Sequence, residues 1–526
     1  MKVRKYIISL VTIPLLISCG KKGDIDFDHS VPALDVDNIA VGELTKDPLG
    51  GAINEDAENV YFDFYEVSDF HGAVNYSVDD KTIGLAKMAD YFSKKRANNP
   101  GGMIVLSSGD MFQGSAESNL TYGYLVNYGM NIMGFEAMTL GNHEFDWGID
   151  WLRKNSQLSV NDYKIPYLGA NVFDKATGQL LDFLKPSTII ERNGYKVGII
   201  GTLGDNSDKS IMKSLVAGLE FRSEVPIVTA EAQRLKNDEH CDVVVWSSHR
   251  DINDLANIGI TKASGIDAVF GGHTHNSESK KVSEIPYLET KNMGKGIAHA
   301  RLSLNKTSKA VDCVVCEVNS APYAVEGLVD HPEVQKVYNV YNQYLEPVKN
   351  EVIGSTDGVL KDTEGLVNLC VETQAMAAQK WVDNNQNGEW KIVGSVHNAS
   401  GGVRADINAG DIHYGDVYKS FPFDNEVVII SFKGSDLKNR LLKINNNSGV
   451  WRDVEVLSSK SAIVNDTIYY FATTDFFATN YLEFKEDQLV RTGYVVRDCV
   501  AARVKYEQKI KAKDFASSVD KFKKIS

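Results

Sequence analysis

The sequence predicts a two-domain protein of the layered α/β class, and three observations lead there. Its 526 residues exceed what one hydrophobic core organises, since single cores stop growing at about 250–300 residues. Hydrophobic residues make up 43% and charged ones 24%, close to the globular average. Between residues 59 and 320, short apolar runs alternate with helical patterns, the rhythm of sheets covered by helices. The same figures exclude disordered, collagen-like and disulfide-scaffold chains. No apolar run reaches the roughly 20 residues of a membrane span. The net charge is −14, from 56 basic and 70 acidic residues, with no basic stripe, so a nucleic-acid duplex is not an expected partner. An acidic protein that handles anions needs local positive charge, and metal ions are one source of it.

Residues 1–18 read as a signal segment. Lys2, Arg4 and Lys5 precede an apolar stretch that is too short to span a membrane. The segment ends Leu16-Ile17-Ser18-Cys19, which resembles the bacterial lipobox. Cys19 is therefore the expected lipidation site, and the chain is expected to be exported and lipid-anchored to a bacterial membrane, facing the periplasm or the exterior. Residues 19–58 read as a solvated acidic tether, because residues 20–58 hold ten acidic and three basic side chains. The first domain is assigned to residues 59–320, with buried strands at 61–67, 103–106, 197–200, 243–246 and 268–270. Leu85, Met88, Ala89 and Phe92 form the stripe of an amphipathic helix. Lys94, Lys95 and Arg96 sit at its C-terminal end, where the helix dipole favours cations. A connector helix is assigned to residues 321–350. Pro332 fits its first turn, Val334, Val337, Tyr338, Tyr341 and Leu345 share one face, and Pro347 is expected to end it. Residues 351–526 form a second, mixed α/β domain that opens with a helix around 367–382. Beyond Cys19 the cysteines are Cys241, Cys313, Cys316, Cys370 and Cys499, and the sequence leaves any disulfide pairing open. Cys313 and Cys316 lie in a strand-like stretch, where positions i and i+3 face opposite ways, so they are expected to be buried thiols rather than a redox or zinc pair.

The chemistry concentrates where apolar runs end. Those ends read Asp69-Phe70-His71-Gly72, then Gly109-Asp110-Met111-Phe112-Gln113-Gly114, then Gly141-Asn142-His143-Glu144-Phe145-Asp146, then Ser248-His249, and finally Gly271-Gly272-His273-Thr274-His275. Five of the eleven histidines fall in these clusters. Strand ends at one rim of a sheet are where α/β ligand sites lie. Carboxylate, imidazole and amide donors suit borderline divalent ions such as Zn, Mn, Fe or Co, with Mg a harder alternative. The lack of thiolate argues against a closed structural zinc site. Two ions sharing one carboxylate fit phosphoester hydrolysis, because paired metals activate water and neutralise phosphate oxygens.

These motifs, in this order, resemble those of the calcineurin-like metallophosphatases. With the second domain, the chain resembles the bacterial 5′-nucleotidase/UDP-sugar hydrolase/2′,3′-cyclic-nucleotide phosphodiesterase family over roughly residues 59–515. The resemblance implies a four-layer α/β/β/α metallophosphatase domain and a 5′-nucleotidase-type C-terminal domain. It implies two divalent metal ions: Asp69, His71 and His275 on one, Asn142, His249 and His273 on the other, and Asp110 bridging. It makes His143 the catalytic histidine and Asp146 its orienting partner. Gly401-Gly402-Val403-Arg404 and Phe421-Pro422-Phe423-Asp424-Asn425 match substrate-binding segments. By this match Arg404 holds phosphate, Phe423 and Phe476 stack on a base, and Asn425 hydrogen-bonds it. The expected reaction is hydrolysis of 5′-nucleotides to nucleoside and phosphate. Cyclic 2′,3′-nucleotides, sugar nucleotides and non-nucleotide phosphoesters are the alternatives, and a surface lipoprotein that binds without hydrolysis is a further one. In the family the second domain rotates, with the connector helix as a candidate hinge.

The chain departs from the family pattern in its second domain. Asn398 is displaced by about one residue from the family's asparagine before the glycine pair. Asp362-Thr363-Glu364 stands where the family has arginines, and a ribose-binding stretch is shortened to Asn480-Tyr481. Arg250, beside His249, is a candidate for part of the missing positive charge. His240, His299, His331, His397 and His413 carry no such match, and His397 draws attention only because it adjoins Asn398.

Overall fold

The computed structural model describes residues 24–28, 31–446 and 448–525. Among them, two six-stranded sheets pack face to face. The first has the spatial order Val311–Asn319, Ile297–Asn305, Asn59–Val67, Met103–Ser107, Ala137–Thr139, Tyr167–Leu168. The second runs Glu278–Val282, Ile285–Glu289, Ala268–Gly271, Val243–His249, Tyr195–Leu203, Ser187–Arg192. Side-chain alternation sets the layers. Val60, Phe62 and Phe64 point from the first sheet into a core shared with Val197, Ile199, Val243, Val245 and Phe270 of the second. Tyr65 and Val67 point the other way, onto Leu85, Met88 and Phe92 of the helix Leu85–Asn98 and onto Val126 and Met130 of the helix Tyr124–Met133. On the far face of the second sheet, Ile200, Val244 and Trp246 pack against Val228, Ala232 and Leu235 of the helix Glu224–Asn237. The result is the four-layer α/β/β/α arrangement.

The helix Pro332–Lys349 buries Val334, Val337, Tyr341 and Leu345, and these join the core formed by the helices of the first domain. Pro347 does not end this helix. It sits in the last turn, where its missing N–H removes only one bond, and the helix runs on to Lys349. The second domain holds a five-stranded sheet in the order Ser448–Arg452, Ile392–Asn398, Ile468–Thr474, Glu426–Lys433, Val490–Val495. The helix Gly365–Asn385 and the helix Gly434–Asn446 contribute to separate apolar clusters on that sheet.

Two further expectations require correction. Parts of the described residues 24–28 and 31–58 dock rather than forming a free tether: Ile25, Phe27, Val36 and Leu44 are buried, while most of the others are exposed or half-buried. Asp24, Asp26 and Asp28 are exposed while Ile25 and Phe27 between them are buried, so charge and burial alternate along one extended strap. Phe27 packs against Tyr494 at 6.2 Å, and Lys380 donates to the Ile25 carbonyl. Further on, the Leu34 N–H donates to Leu120 O (2.7 Å) and the Asp47 N–H to Ile132 O (2.8 Å). The strap thus touches both domains. The second correction concerns Cys313 and Cys316. Cys313 pairs with Leu302 and Cys316 with Ala300, because the ladder shifts register between Arg301 and Leu302. Val314 is the extra residue of a bulge, and it returns both cysteines to one face. The expected leader 1–18 and Cys19 lie outside the described residues. No helix among the described residues is long and apolar enough to cross a membrane.

Phe62→Ala in the intersheet core is expected to cost about 3–5 kcal/mol of stability, measured by denaturant unfolding. Phe27→Ala is expected to speed amide exchange across residues 24–34 while leaving the intersheet core protected, because it undocks only the strap.

Candidate metal centre and substrate cavity

Every residue of the expected centre follows a strand and sits at one rim. Asp69 and His71 follow Asn59–Val67, and Asp110 follows Met103–Ser107. Asn142, His143 and Asp146 follow Ala137–Thr139. His249 ends Val243–His249, and His273 and His275 follow Ala268–Gly271. The backbone there is strained. Asp69, His71, Asp110, His273 and His275 have φ of 52°, 49°, 54°, 77° and 60°, a left-handed region that costs non-glycine residues about 1–3 kcal/mol each. Such strain persists where the surroundings over-determine it, and it aims these side chains inward. Glycine clears the space between them: a Cβ on Gly141 would lie 2.2 Å from Asp110 Oδ1, and one on Gly109 would lie 2.5 Å from the Gly141 nitrogen.

The donors fall into two groups, Asp69 with His71 and His275, and Asp110 with His249 and His273. His71 Nε2 lies 3.2 Å from His275 Nε2, and His275 Nε2 lies 3.4 Å from Asp69 Oδ1. His249 Nε2 lies 3.1 Å from Asp110 Oδ2. The imidazoles are held by their other nitrogens. His71 Nδ1 donates to Gln113 O (2.8 Å) and His249 Nδ1 donates to Ser108 O (2.7 Å), which leaves each Nε2 lone pair facing the centre. Asn142 Oδ1 is buried and has no hydrogen-bond partner among the described residues, and His249 Nε2 faces Asp110 Oδ2. Burial lowers His71 to about 3 and His273 to about 4, so both present neutral imidazole. Burial would lower His249 too, but Asp110 outweighs it and raises it to about 10. Asp110 is desolvated, which raises its pKa, yet His249 and His143 hold it well below the usual carboxylate range. The position therefore favours positive charge, which divalent ions supply. An orphaned donor, neutral imidazoles and this charge balance together fit a metal-binding centre.

His143 stands beside both groups. Its Nδ1 bonds Asp146 Oδ2 (2.8 Å), and its N–H donates to Asp110 Oδ1 (2.8 Å). Burial lowers its pKa, and the carboxylates of Asp146 and Asp110 more than reverse this. Asp146 is raised by its own burial, against the pull of His143. The His143 direction carries more weight, because two carboxylates face one imidazole.

Three supporting residues escaped the sequence reading. Glu144 accepts the N–H groups of Asp110 (2.8 Å), Met111 (2.8 Å) and Gly141 (2.7 Å), fastening two ligand loops together. Burial, with Asp110 nearby, raises it to about 7. Glu289 accepts from Thr274 Oγ1 (2.8 Å) and from the N–H groups of Asn276 (3.0 Å) and Ile252 (2.9 Å), bracing the His273–His275 turn. Gln113 orients His71 through its carbonyl, while its amide donates to Pro422 O (3.1 Å) in the second domain. Glu144 lies inside a quoted motif, so its position was available. Its partners are backbone groups of other loops, which no sequence pattern records.

A cavity of about 250 Å³ opens beside the centre, lined from the first domain by Asp110, Asn142, His143, Asp146, His273 and His275. From the second domain it is lined by Asn398, Arg404, Phe423, Asn425, Phe476 and Tyr481. All four expected substrate-binding residues are thus brought to it. Phe423 stacks on His143 at 5.6 Å and 27°, and the Arg404 guanidinium lies 5.2 Å from the Phe423 ring. Burial draws the Arg404 pKa down, against Asp110, Asp146 and Asp69. Asn398 Oδ1 is buried without a hydrogen-bond partner. Asn480 donates to Lys209 O (2.8 Å) and Ile211 O (3.0 Å) of the first domain, and this turns Tyr481 into the cavity wall. Two further readings are corrected. Arg250 does not supply charge to the cavity; it is tied to Glu224 at 2.9 Å and Asp205 at 3.6 Å. Asp362 and Glu364 do not line the cavity either, and Glu364 accepts the Ser517 N–H (2.8 Å). Glu144→Gln keeps the volume but weakens the acceptor. It is expected to lower affinity for Mn or Zn about 10–100-fold with an unchanged circular dichroism spectrum, read by competition with a chromogenic chelator.

The comparisons with known proteins agree with this geometry. Residues 62–277 match the family model described as calcineurin-like phosphoesterase. Residues 361–462 match that of the 5′-nucleotidase C-terminal domain. Protein UshA of Escherichia coli is 26% identical over 403 residues, 68% of this chain and 71% of its own. A 5′-nucleotidase of Vibrio cholerae is 26% identical over 416 residues, again 68% and 71%. A 5′-nucleotidase precursor from Thermus thermophilus superposes with a TM-score of 0.68 at 19% identity, covering 86% of this chain and 97% of that one. The chain belongs to the phosphoester hydrolases that join a calcineurin-like metallophosphoesterase domain to a 5′-nucleotidase C-terminal domain.

Proposed function

We propose that the protein hydrolyses the 5′-phosphate of nucleotides, and that Asp69, His71, Asp110, Asn142, His249, His273 and His275 would hold two divalent ions. The observation that carries this reading is a single cavity with the metal-type donors on one wall and Arg404, Phe423 and Phe476 on the other. Bound there, the ions supply activation of the attacking water and neutralise the phosphoryl oxygens. The chain's own groups do the rest. His143, whose protonated form Asp146 and Asp110 favour, donates a hydrogen bond to the phosphoryl group or a proton to the departing alkoxide. Arg404 pairs with the phosphate in a low-dielectric wall, where its planar fork is effective. Phe423 leaves His143 and takes a base face opposite Phe476, and Asn398 and Asn425 hydrogen-bond the nucleoside.

The end of the helix Pro332–Lys349 is anchored to the first domain by Lys349 and Glu117 at 2.5 Å. Any rotation of the second domain therefore turns at residues 350–351, after the helix rather than within it. We infer from the signal-like residues 1–18 and the lipobox-like Cys19 that the reaction takes place outside the cytoplasm, at a lipid-anchored surface. The shortened Asn480-Tyr481 stretch, whose Tyr481 lines the cavity, favours a second reading, in which the same centre cleaves a cyclic or sugar-linked nucleotide.

Phosphate release from AMP, UMP, 2′,3′-cyclic AMP, UDP-glucose and p-nitrophenyl phosphate separates these readings. Turnover of AMP or UMP supports the first, turnover confined to the cyclic or sugar-linked esters supports the second, and metal binding without any turnover overturns both. His143→Ala is expected to lower kcat about 10²–10⁴-fold with two ions still bound, counted by metal analysis. Arg404→Ala is expected to lower kcat/KM about 10–100-fold while leaving metal content unchanged. Chelation should abolish turnover, and added Mn or Zn should restore it.

A further inference from the structure

The bulge at Val314 creates an arrangement outside the metal centre that the hydrolase chemistry does not use. Cys313 and Cys316 stand opposite Leu302 and Ala300 and pack against the same intersheet core. With the bulge absorbing one residue, they occupy successive positions on one face, separated by roughly 6.6 Å of strand. This is at the upper end of the Cα spacing of about 4.4–6.8 Å that a disulfide accepts. Both are half-buried, unlike Cys241, Cys370 and Cys499, which are buried. Their strand, Val311–Asn319, is the edge of its sheet. Two ammonium groups flank Cys313: Lys281 Nζ donates to Cys313 O (2.7 Å) and Lys262 Nζ to Val311 O (2.9 Å). Cys313 Sγ donates to Val315 O at 3.1 Å, inside the bulge.

We propose that Cys313 and Cys316 form a thiol–disulfide exchange site whose co-substrate is a low-molecular-weight disulfide. The Cys313 thiolate attacks one sulfur of that disulfide and releases the other half as thiolate, leaving a mixed disulfide on Cys313. Cys316 then gives up its proton and attacks Cys313 Sγ, expelling the second half as thiolate. Two protein thiols are oxidised to one intrachain bond, and one small disulfide is reduced to two thiols. Cys313 is the attacking member: the neighbouring Cys316 thiol, with Lys281 and Lys262 close by, lowers it to about 7 against burial. Cys316 is pushed up by the Cys313 sulfur and by burial, and so resolves. The closed bond would pin the bulge where the edge strand meets Lys280, whose carbonyl accepts from Cys316 Sγ (3.7 Å).

The test is an alkylation map of the full chain after incubation with glutathione disulfide, followed by maleimide labelling, digestion and mass spectrometry. The expected result is one peptide carrying Cys313 and Cys316, unlabelled and lighter by two hydrogens, with Cys241, Cys370 and Cys499 labelled only after unfolding. Cys316→Ser is expected to trap a glutathione adduct on Cys313. Cys313→Ser should form its adduct on Cys316 at least about tenfold more slowly. Full labelling of both thiols in the wild-type chain after oxidation would overturn the proposal, as would bonds found only between chains. Because the wild-type map alone decides the bond, failure of either variant to fold leaves the test intact.

Discussion

Two sheets packed face to face create the constraint on which the rest of the molecule depends. Val60, Phe62 and Phe64 meet Val197, Ile199, Val243 and Val245 in one apolar layer, and that layer fixes how the ends of the two sheets align. Strand ends that lie more than a hundred residues apart in sequence therefore open at one rim. Donors from Asp69 to His275 can face one another only because this dry layer holds its register. Packing at native density makes the register sharp, since a slip of one residue would turn every intersheet side chain onto the opposite, helix-covered face.

The rim itself is costly to form. Five of the proposed ligands have left-handed backbone, and buried carboxylates surround them. The compensation is local. Glu144 gathers the backbone of the Asp110 and Gly141 loops, and Glu289 gathers the turn that carries His273 and His275. This acidic protein thus accommodates buried carboxylates by turning them onto backbone N–H groups, while His143 and His249, both raised by facing carboxylates, supply local positive charge. Burial raises both glutamates to about 7, the expected result of placing carboxyl groups where charge is poorly solvated.

The second domain completes the site through contacts that are mostly backbone. The Pro422 carbonyl accepts from Gln113 and Asn119, and Asn480 reaches the carbonyls of Lys209 and Ile211. These bonds hold Phe423 against His143 in the conformation described. Gln113 and Pro422 also line the cavity, so one of these interdomain bonds lies in its wall. The strap of residues 24–58 adds a second link, docking Ile25 and Phe27 on one domain and Leu34 and Asp47 on the other.

Much of this was legible in the sequence. The apolar runs located the strands, because period and burial leave a local signature. The order of the Asp, His and Asn motifs identified the centre, since ligand chemistry restricts residue type. Packing and register decided the rest. Arg250 has the charge to serve a phosphate, but Glu224 claims it, and that partner comes from another element. Asp362 and Glu364 threatened the pocket only until their neighbours were known. The apolar residues of the strap are too few to announce burial without the surface that receives them. Cys313 and Cys316 share a face only because a bulge in Val311–Asn319 absorbs Val314, a feature of the pairing with Ile297–Asn305. Residue type and local period are written in the chain, and they determined the fold class and the chemistry of the centre. Which side chains meet across distant elements depends on register and layer packing, and only the tertiary structure decided it.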